Sequence, residues 1–267
     1  MDREAAPAKQ PLLFFLLIYV LSVPFWVWGE APLPLPVNLP TSALSFVTPL
    51  LAALILTYWR GGLADVGALL RRAFDFRKIK NVAWLAPALL LIPAIYLAAY
   101  LLMHLAQREL PVPDVPLLMV PVFFLLYLVT AVCEELGWMG YAVDPLQERR
   151  GALTAAILLG VVWELWHLIP HLQQGLAADW IAWQSLYSIG LRVLIVWVYN
   201  NTGRSVFAAI LVHTMDNVSW SLFPNFGSHY DPLFTAVVTW VTTAAVVLLW
   251  GAQTLARFRY GRLQASR

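Results

Sequence analysis

Residues 115–141 read VPLLMVPVFFLLYLVTAVCEELGWMGY. No charge interrupts this stretch until two adjacent glutamates, Glu134 and Glu135. A helix needs about 20 mostly apolar residues to cross the ~30 Å hydrocarbon core of a bilayer, and this segment has that length. It therefore reads as a membrane span that carries two carboxylates where carboxylates are costly.

The rest of the chain has the same character. Of its 267 residues 61% are hydrophobic and 12% charged, with a mean hydropathy of +0.71, whereas a soluble domain is about 25% charged. The 13 Trp, 10 Tyr and 13 Phe supply rings that gather at membrane interfaces. Apolar runs of spanning length fall at about 11–28, 41–59, 81–106, 115–141, 152–170, 181–200, 205–223 and 232–256. The expectation is an all-α, polytopic bundle of eight transmembrane helices. It forms a single integral membrane domain over 1–267, since no long linker, low-complexity tract or repeat divides it. The first run has no small-x-small cleavage site after it and reads as a retained span, not a removed signal. Prolines 24, 49, 87, 93 and 121 read as kinks within spans, and Pro32, Pro34, Pro36 and Pro40 as an extended loop.

Basic residues give an orientation. With the N-terminus inside, the cytoplasmic segments hold Arg3 and Lys9; Arg60, Arg71, Arg72, Arg77, Lys78 and Lys80; Arg149 and Arg150; Arg204; and Arg257, Arg259, Arg262 and Arg267, fifteen of the 17 basic residues. The outer loops hold Arg108, and Arg192 falls within a span. By the positive-inside rule both termini are expected in the cytoplasm, the membrane being the plasma or inner membrane if the source is a prokaryote. Segment 60–80 reads as a short amphipathic surface helix whose Phe74 and Phe76 sit among cations, or as a plain basic connector. A net charge of +2 gives no reason to expect nucleic acid, and the single Cys133 allows no intrachain disulfide. The expected partners are the lipid bilayer and a substrate.

Within the spans lie Glu134, Glu135, Glu164, His167 and His213, followed on the same helix by Asp216 and Asn217. If Arg149 and Arg150 mark the turn of a hairpin, Glu134 and His167 sit at nearly the same depth, about 25 Å from it at 1.5 Å per residue. His213 and Asn217 are four apart and share a helix face, as do Trp163 and His167, and Glu164 and His167 at three apart. Glu134 and Glu135 diverge by about 100°, so at most one aims at a common centre. A carboxylate with two imidazoles in a dry cavity suits hydrolysis: the carboxylate takes a proton from water and returns it to a leaving amine, while imidazole or an Asn amide steadies the oxyanion. Glu134, His167 and His213 are expected to converge on one cavity near the cytoplasmic half of the bilayer. His104 reads as a packing residue, His171 and His229 as loop residues facing water, and Arg192 as a partner of Glu164 or Asp216.

Three motifs carry a resemblance to a known family. Residues 134–141, Glu-Glu-Leu-Gly-Trp-Met-Gly-Tyr, resemble the Glu-Glu-x-x-x-Arg motif of the CPBP family, which includes type II CAAX prenyl endopeptidases and Abi proteins. Trp163 to His167 is similar to its aromatic-x-x-x-His motif, and His213 to Asn217 to its His-x-x-x-Asn motif, within a catalytic core at 115–220. The resemblance implies an intramembrane endopeptidase in which Glu134 activates water, Glu135 supports it, His167 positions the water or binds the oxyanion, and His213 and Asn217 complete the site. It implies a membrane-associated peptide or protein substrate, prenylated C-termini being one class. Met139 stands where the motif has arginine, and Trp163 replaces the commoner Phe, read as harmless. Met139 also leaves open a catalytically silent scaffold or immunity protein, and the buried acids and histidines a proton- or metal-coupled transporter. The family is often called metalloproteases. Zinc usually takes three protein ligands, and His167 and His213 are the candidates, so a glutamate-dependent hydrolase with no tightly bound metal is expected.

Overall fold

The computed structural model describes residues 9–29 and 40–256. Arg3, Pro32, Pro34 and Pro36, both extreme termini, and Arg257, Arg259, Arg262 and Arg267, for which the sequence carries expectations, lie outside the described residues. The described chain is helical throughout: α1 (Pro11–Val27), α2 (Thr48–Arg71) after a 3-10 segment at Thr41–Val47, α3 (Leu85–Leu105), α4 (Val120–Gly137), α5 (Val143–Arg150), α6 (Ala152–Gln173), α7 (Ala178–Asn201), α8 (Val206–Leu222) and α9 (Pro232–Trp250). A π-helical segment, Trp138–Ala142, joins α4 to α5, so this helix continues beyond the expected end at 141.

Six stretches among the described residues are long and apolar enough to cross a membrane, and the protein is an integral, multi-pass membrane helical bundle. The expected eight is not reached by that measure, because α1 and α8 each have 17 residues. In α8 the shortfall is chemical, since His213, Asp216, Asn217 and two serines displace apolar residues. The helix lies almost wholly inside the protein, between α3 and α4 on one side and α7 on another. Helix α7 is the other core element, with every residue from Gly190 to Tyr199 buried between α6 and α9. Outward-facing leucines and valines such as Leu16, Leu97, Leu125, Val241 and Leu248 remain exposed, as expected where lipid is the solvent.

Small residues set the closest approaches, as is common between membrane helices. A Cβ on Gly160 of α6 would lie 2.9 Å from the Ile189 Cα of α7, and one on Gly190 would lie 2.8 Å from Thr239 Cγ2 of α9. A Cβ on Gly137 would come within 2.6 Å of the Pro49 carbonyl oxygen, pinning the end of α4 against the start of α2.

The basic residues gather at one end. Arg72 donates to the Gly140 carbonyl at 2.7 Å and to the Tyr199 hydroxyl at 2.6 Å, and Lys9 donates to the same carbonyl at 3.0 Å. Burial and then Arg72 lower the Lys9 amine to about 8. Arg204 pairs with Asp144 and Glu148, and Asp75 receives Ser205 Oγ and the Val206 and Phe207 amides at the start of α8, a carboxylate at the positive end of a helix. Within segment 60–80 a short, mostly exposed helix follows a break at Gly62 and ends at Arg71, and Phe74 and Phe76 lie exposed beyond it. The φ of 67° at Gly62, which suits glycine, divides α2 into two helices, and two tight turns follow the second. Prolines 24 and 93 lie inside helices, with Pro170 as a further case, whereas Pro49 and Pro121 sit in first turns.

The Gly137 contact makes a measurable expectation. Gly137→Ala should destabilise the detergent-solubilised protein by about 1–3 kcal/mol, the usual cost of overpacking. Gly67→Ala, inside a helix and with only the far end of Arg71 at 3.5 Å, should instead stabilise by up to about 1 kcal/mol. Thermal unfolding followed by tryptophan fluorescence compares them, and equal effects would show that the α2–α4 contact is not tight.

Candidate active site

Glu134 and Glu135 occupy the last turn of α4, just before the π-helical segment, an irregularity that often accompanies functional positions. The roughly 100° between neighbours sends them to different places. Glu134 faces a cavity of about 250 Å³, also lined by Trp163, His167, His213, Asp216 and Asn217. Glu135 is fully buried behind His213 and does not line it.

Trp163 Nε1 donates to Glu134 Oε2 at 2.8 Å. The replacement of phenylalanine by tryptophan is therefore not neutral, because a phenyl ring has no N–H to give. The same indole meets His167 and His213 edge-on, at centroid distances of 4.9 and 5.5 Å. Its face receives the Arg192 guanidinium, with Cζ 4.3 Å from the ring centroid, a cation–π contact worth about 2 kcal/mol where water is excluded.

Arg192, from α7, does not pair with Glu164 or Asp216 as expected. Its Nη1 donates to both oxygens of Glu135 at 2.8 and 2.9 Å. Both residues have zero exposure. Glu135 Oε1 also lies 2.7 Å from His213 Nδ1. A carboxylate only accepts, so Nδ1 carries the hydrogen and Nε2 is the nitrogen left for the cavity. His167 Nδ1 lies 2.9 Å from the Trp163 carbonyl, which fixes the same tautomer. Met139, where the motif has arginine, is fully buried in the apolar core. The cation facing Glu135 comes from another helix, and the carbonyl of Gly140 is held by Arg72 and Lys9 instead.

The remaining expectations divide. His104 packs edge-on against Tyr100 at the end of α3, and His229 is exposed beside Ser228. His171 is not a loop residue facing water. It lies in the last turn of α6, pairs with Glu164 at 3.4 Å and lines the cavity. Ser185 Oγ donates to that Glu164 at 3.1 Å. Asp216 receives the hydroxyls of Tyr187 and Tyr96, two partners that sequence reasoning missed. Beyond the site, the cavity passes His171, Gln174, Trp180 and Gln184. Its lining extends from the site toward the end of the bundle away from Arg149 and Arg150.

Among the described residues, no group of three or more His, Cys, Asp or Glu side chains is arranged to hold a metal. His167 and His213 offer two imidazole nitrogens, and each helix-borne carboxylate nearby has another bond. This donor set does not fit a three-ligand zinc centre.

Residues 116–219, which contain all three motifs, match the family model described as type II CAAX prenyl endopeptidase Rce1-like. The chain is 35% identical over 111 residues to CAAX prenyl protease 2 of Methanococcus maripaludis, an alignment covering 39% of this chain and 41% of that protein. The chain thus spans about two fifths of the length of the curated relative it matches. The family match falls on the segment whose motifs carry the resemblance.

A double-mutant cycle tests the buried pair. Arg192→Met strands the Glu135 carboxylate and should cost about 3–5 kcal/mol, whereas Glu135→Gln with Arg192→Met removes both charges and should recover most of the loss. Denaturation of the purified variants measures the coupling. A double variant no more stable than Arg192→Met would show that the pair is not what the bundle relies on.

Proposed function

We propose that the protein is an intramembrane endopeptidase that hydrolyses a peptide bond of a membrane-associated substrate with a water activated by Glu134. The observation that carries this reading is the opening of Glu134 into a cavity shared with His167, His213 and Asn217, while its Oε2 is held by Trp163. Oε1 is left to take a proton from water. His167 Nε2 accepts the water's second hydrogen and turns its lone pair on the scissile carbonyl. Attack gives a tetrahedral oxyanion, toward which the Asn217 amide and His213, when protonated at Nε2, donate hydrogen bonds. Glu134 then passes its proton to the departing amine, and the two peptides leave.

Glu135 acts at one remove. Fixed by Arg192, it holds the His213 ring through Nδ1 and so aims Nε2, as partners behind a working histidine commonly do. Arg192 supplies the counter-charge that Met139 cannot, which is the reason to favour an active enzyme over a silent scaffold. The metal-free route follows from the donor set, since using Glu134 as a ligand would remove the base.

Two experiments bear on this reading. Glu134→Gln should lower the turnover of quenched peptide substrates by about 10²–10⁴-fold. Trp163→Phe should lower it by about 10-fold to 100-fold, with little change for His229→Ala. Nearly full hydrolysis by Glu134→Gln would end the proposal. Protein treated with chelator and checked by elemental analysis should keep its activity, and activity lost on stripping and restored by stoichiometric zinc would show the mechanism to be a metal-dependent one.

A further inference from the structure

The cavity has a direction. In α6, His167 lies six residues before the end at Gln173, about 9 Å at 1.5 Å per residue, and fifteen after the start at Ala152, about 22 Å. From there the wall continues through His171 to Gln174. In α7 the lining residues Trp180, Gln184 and Ser188 belong to the first half, and in α8 Asp216, Asn217 and Trp220 to the second. In α4 the wall runs back from Glu134 through Thr130 to Leu126, and the segment before α2 adds Ala43 to Phe46. All five elements place the mouth at one end of the bundle, where α6 meets α7.

The opposite end is closed. Below the Glu135–Arg192 pair lie Leu136, Trp138, Met139, Val196, Tyr199 and Ile210, all 0–1% exposed, and beneath them the contacts of Arg72 and Arg204 with Gly140 and Asp144. That closed end also carries the α2–α3, α5–α6 and α7–α8 connections, with Arg77, Lys80, Arg149, Arg150 and Arg204. At the mouth end the one Lys or Arg among the described residues is Arg108, paired with Asp231 and accompanied by Glu109, Asp114 and Asp179. Short loops rich in Lys and Arg stay in the cytoplasm, so the mouth faces away from it.

We propose that the cavity takes its substrate from the non-cytoplasmic face, and that this substrate is a peptide segment displayed there by a membrane-anchored protein, not a C-terminus presented from the cytoplasm. The substrate class rests on the endopeptidase reading; the side of access does not. Peptide entering by the open route reaches Glu134 past His171, Gln174 and Trp180, whereas a cytoplasmic peptide meets a packed apolar layer and then a buried ion pair.

The test uses the full chain with its single cysteine replaced, Cys133→Ser, carrying either Gln174→Cys at the mouth or Lys80→Cys at the basic end. A membrane-impermeant maleimide is applied to sealed right-side-out and inside-out vesicles. Gln174→Cys should label at least 10-fold faster in right-side-out vesicles, and Lys80→Cys in inside-out ones. Labelling of Gln174→Cys chiefly in inside-out vesicles overturns the assignment of the mouth. In parallel, an internally quenched peptide bearing a sulfonated dye, unable to cross the bilayer, is offered to both preparations. Cleavage in right-side-out vesicles alone supports the substrate class, and cleavage in inside-out vesicles alone overturns it. Expected labelling with no cleavage of any peptide in either orientation, or in detergent, keeps the access side, removes the substrate class and marks the endopeptidase reading itself as the part that failed.

Discussion

The buried pair of Glu135 and Arg192 is the constraint around which the rest of the bundle is arranged. Two opposite charges with no exposure to solvent carry a desolvation cost of several kcal/mol each, and Nε and Nη2 of Arg192 find no hydrogen-bond partner among the described residues. What offsets the cost is geometry. One guanidinium nitrogen meets both carboxylate oxygens, the plane lies over the Trp163 face, and His213 takes the remaining capacity of Oε1. These contacts join α4, α6, α7 and α8 at one point. Shifting any of these helices by an ångström would strand a charge, so the pair fixes their register in a way that interchangeable apolar contacts do not.

Trp163 connects this structural pair to the cavity. One face holds Arg192, its N–H fixes Glu134, and its ring edges bound the spaces of both histidines. Glu134 and Glu135 thereby serve different ends although they are neighbours in sequence. The first keeps an oxygen for the cavity, and the second is spent on internal charge balance and on aiming His213. A phenylalanine would leave the packing nearly intact but release Glu134.

The fold class was legible because lipid imposes a long, unambiguous pattern: runs of about 20 apolar residues, with arginines and lysines at alternate connections. The depth of Glu134 and His167 followed from counting along a hairpin, and the sharing of faces by His213 and Asn217 from helical periodicity. What did not follow was partner choice across helices. Arg192 was visible as an isolated cation in a span, yet its distance from Glu135 depends on how α7 rotates against α4, and the small residues Gly160 and Gly190 set that rotation. The same limit hid the tyrosines on Asp216. His171 was misplaced for a simpler reason: the apolar run stops at 170, but the helix continues to Gln173 and brings the imidazole to Glu164.

The short, polar α8 illustrates how the site shapes the architecture. A helix bearing a histidine, an aspartate, an asparagine and two serines cannot face hydrocarbon, because each unpaired polar group there costs several kcal/mol. It has to be ringed by helices that can, and α3, α4 and α7 do this while turning leucines and valines outward. Enclosure in turn leaves α8 free of the length that lipid demands, so it stops at Leu222 while its neighbours continue. Along α8 the cavity wall is His213, Asp216, Asn217 and Trp220, and Tyr230, from the following loop, stacks on Tyr96 beside Asp216. The chemistry that makes α8 unfit to face lipid is thus also what gives the cavity its polar wall.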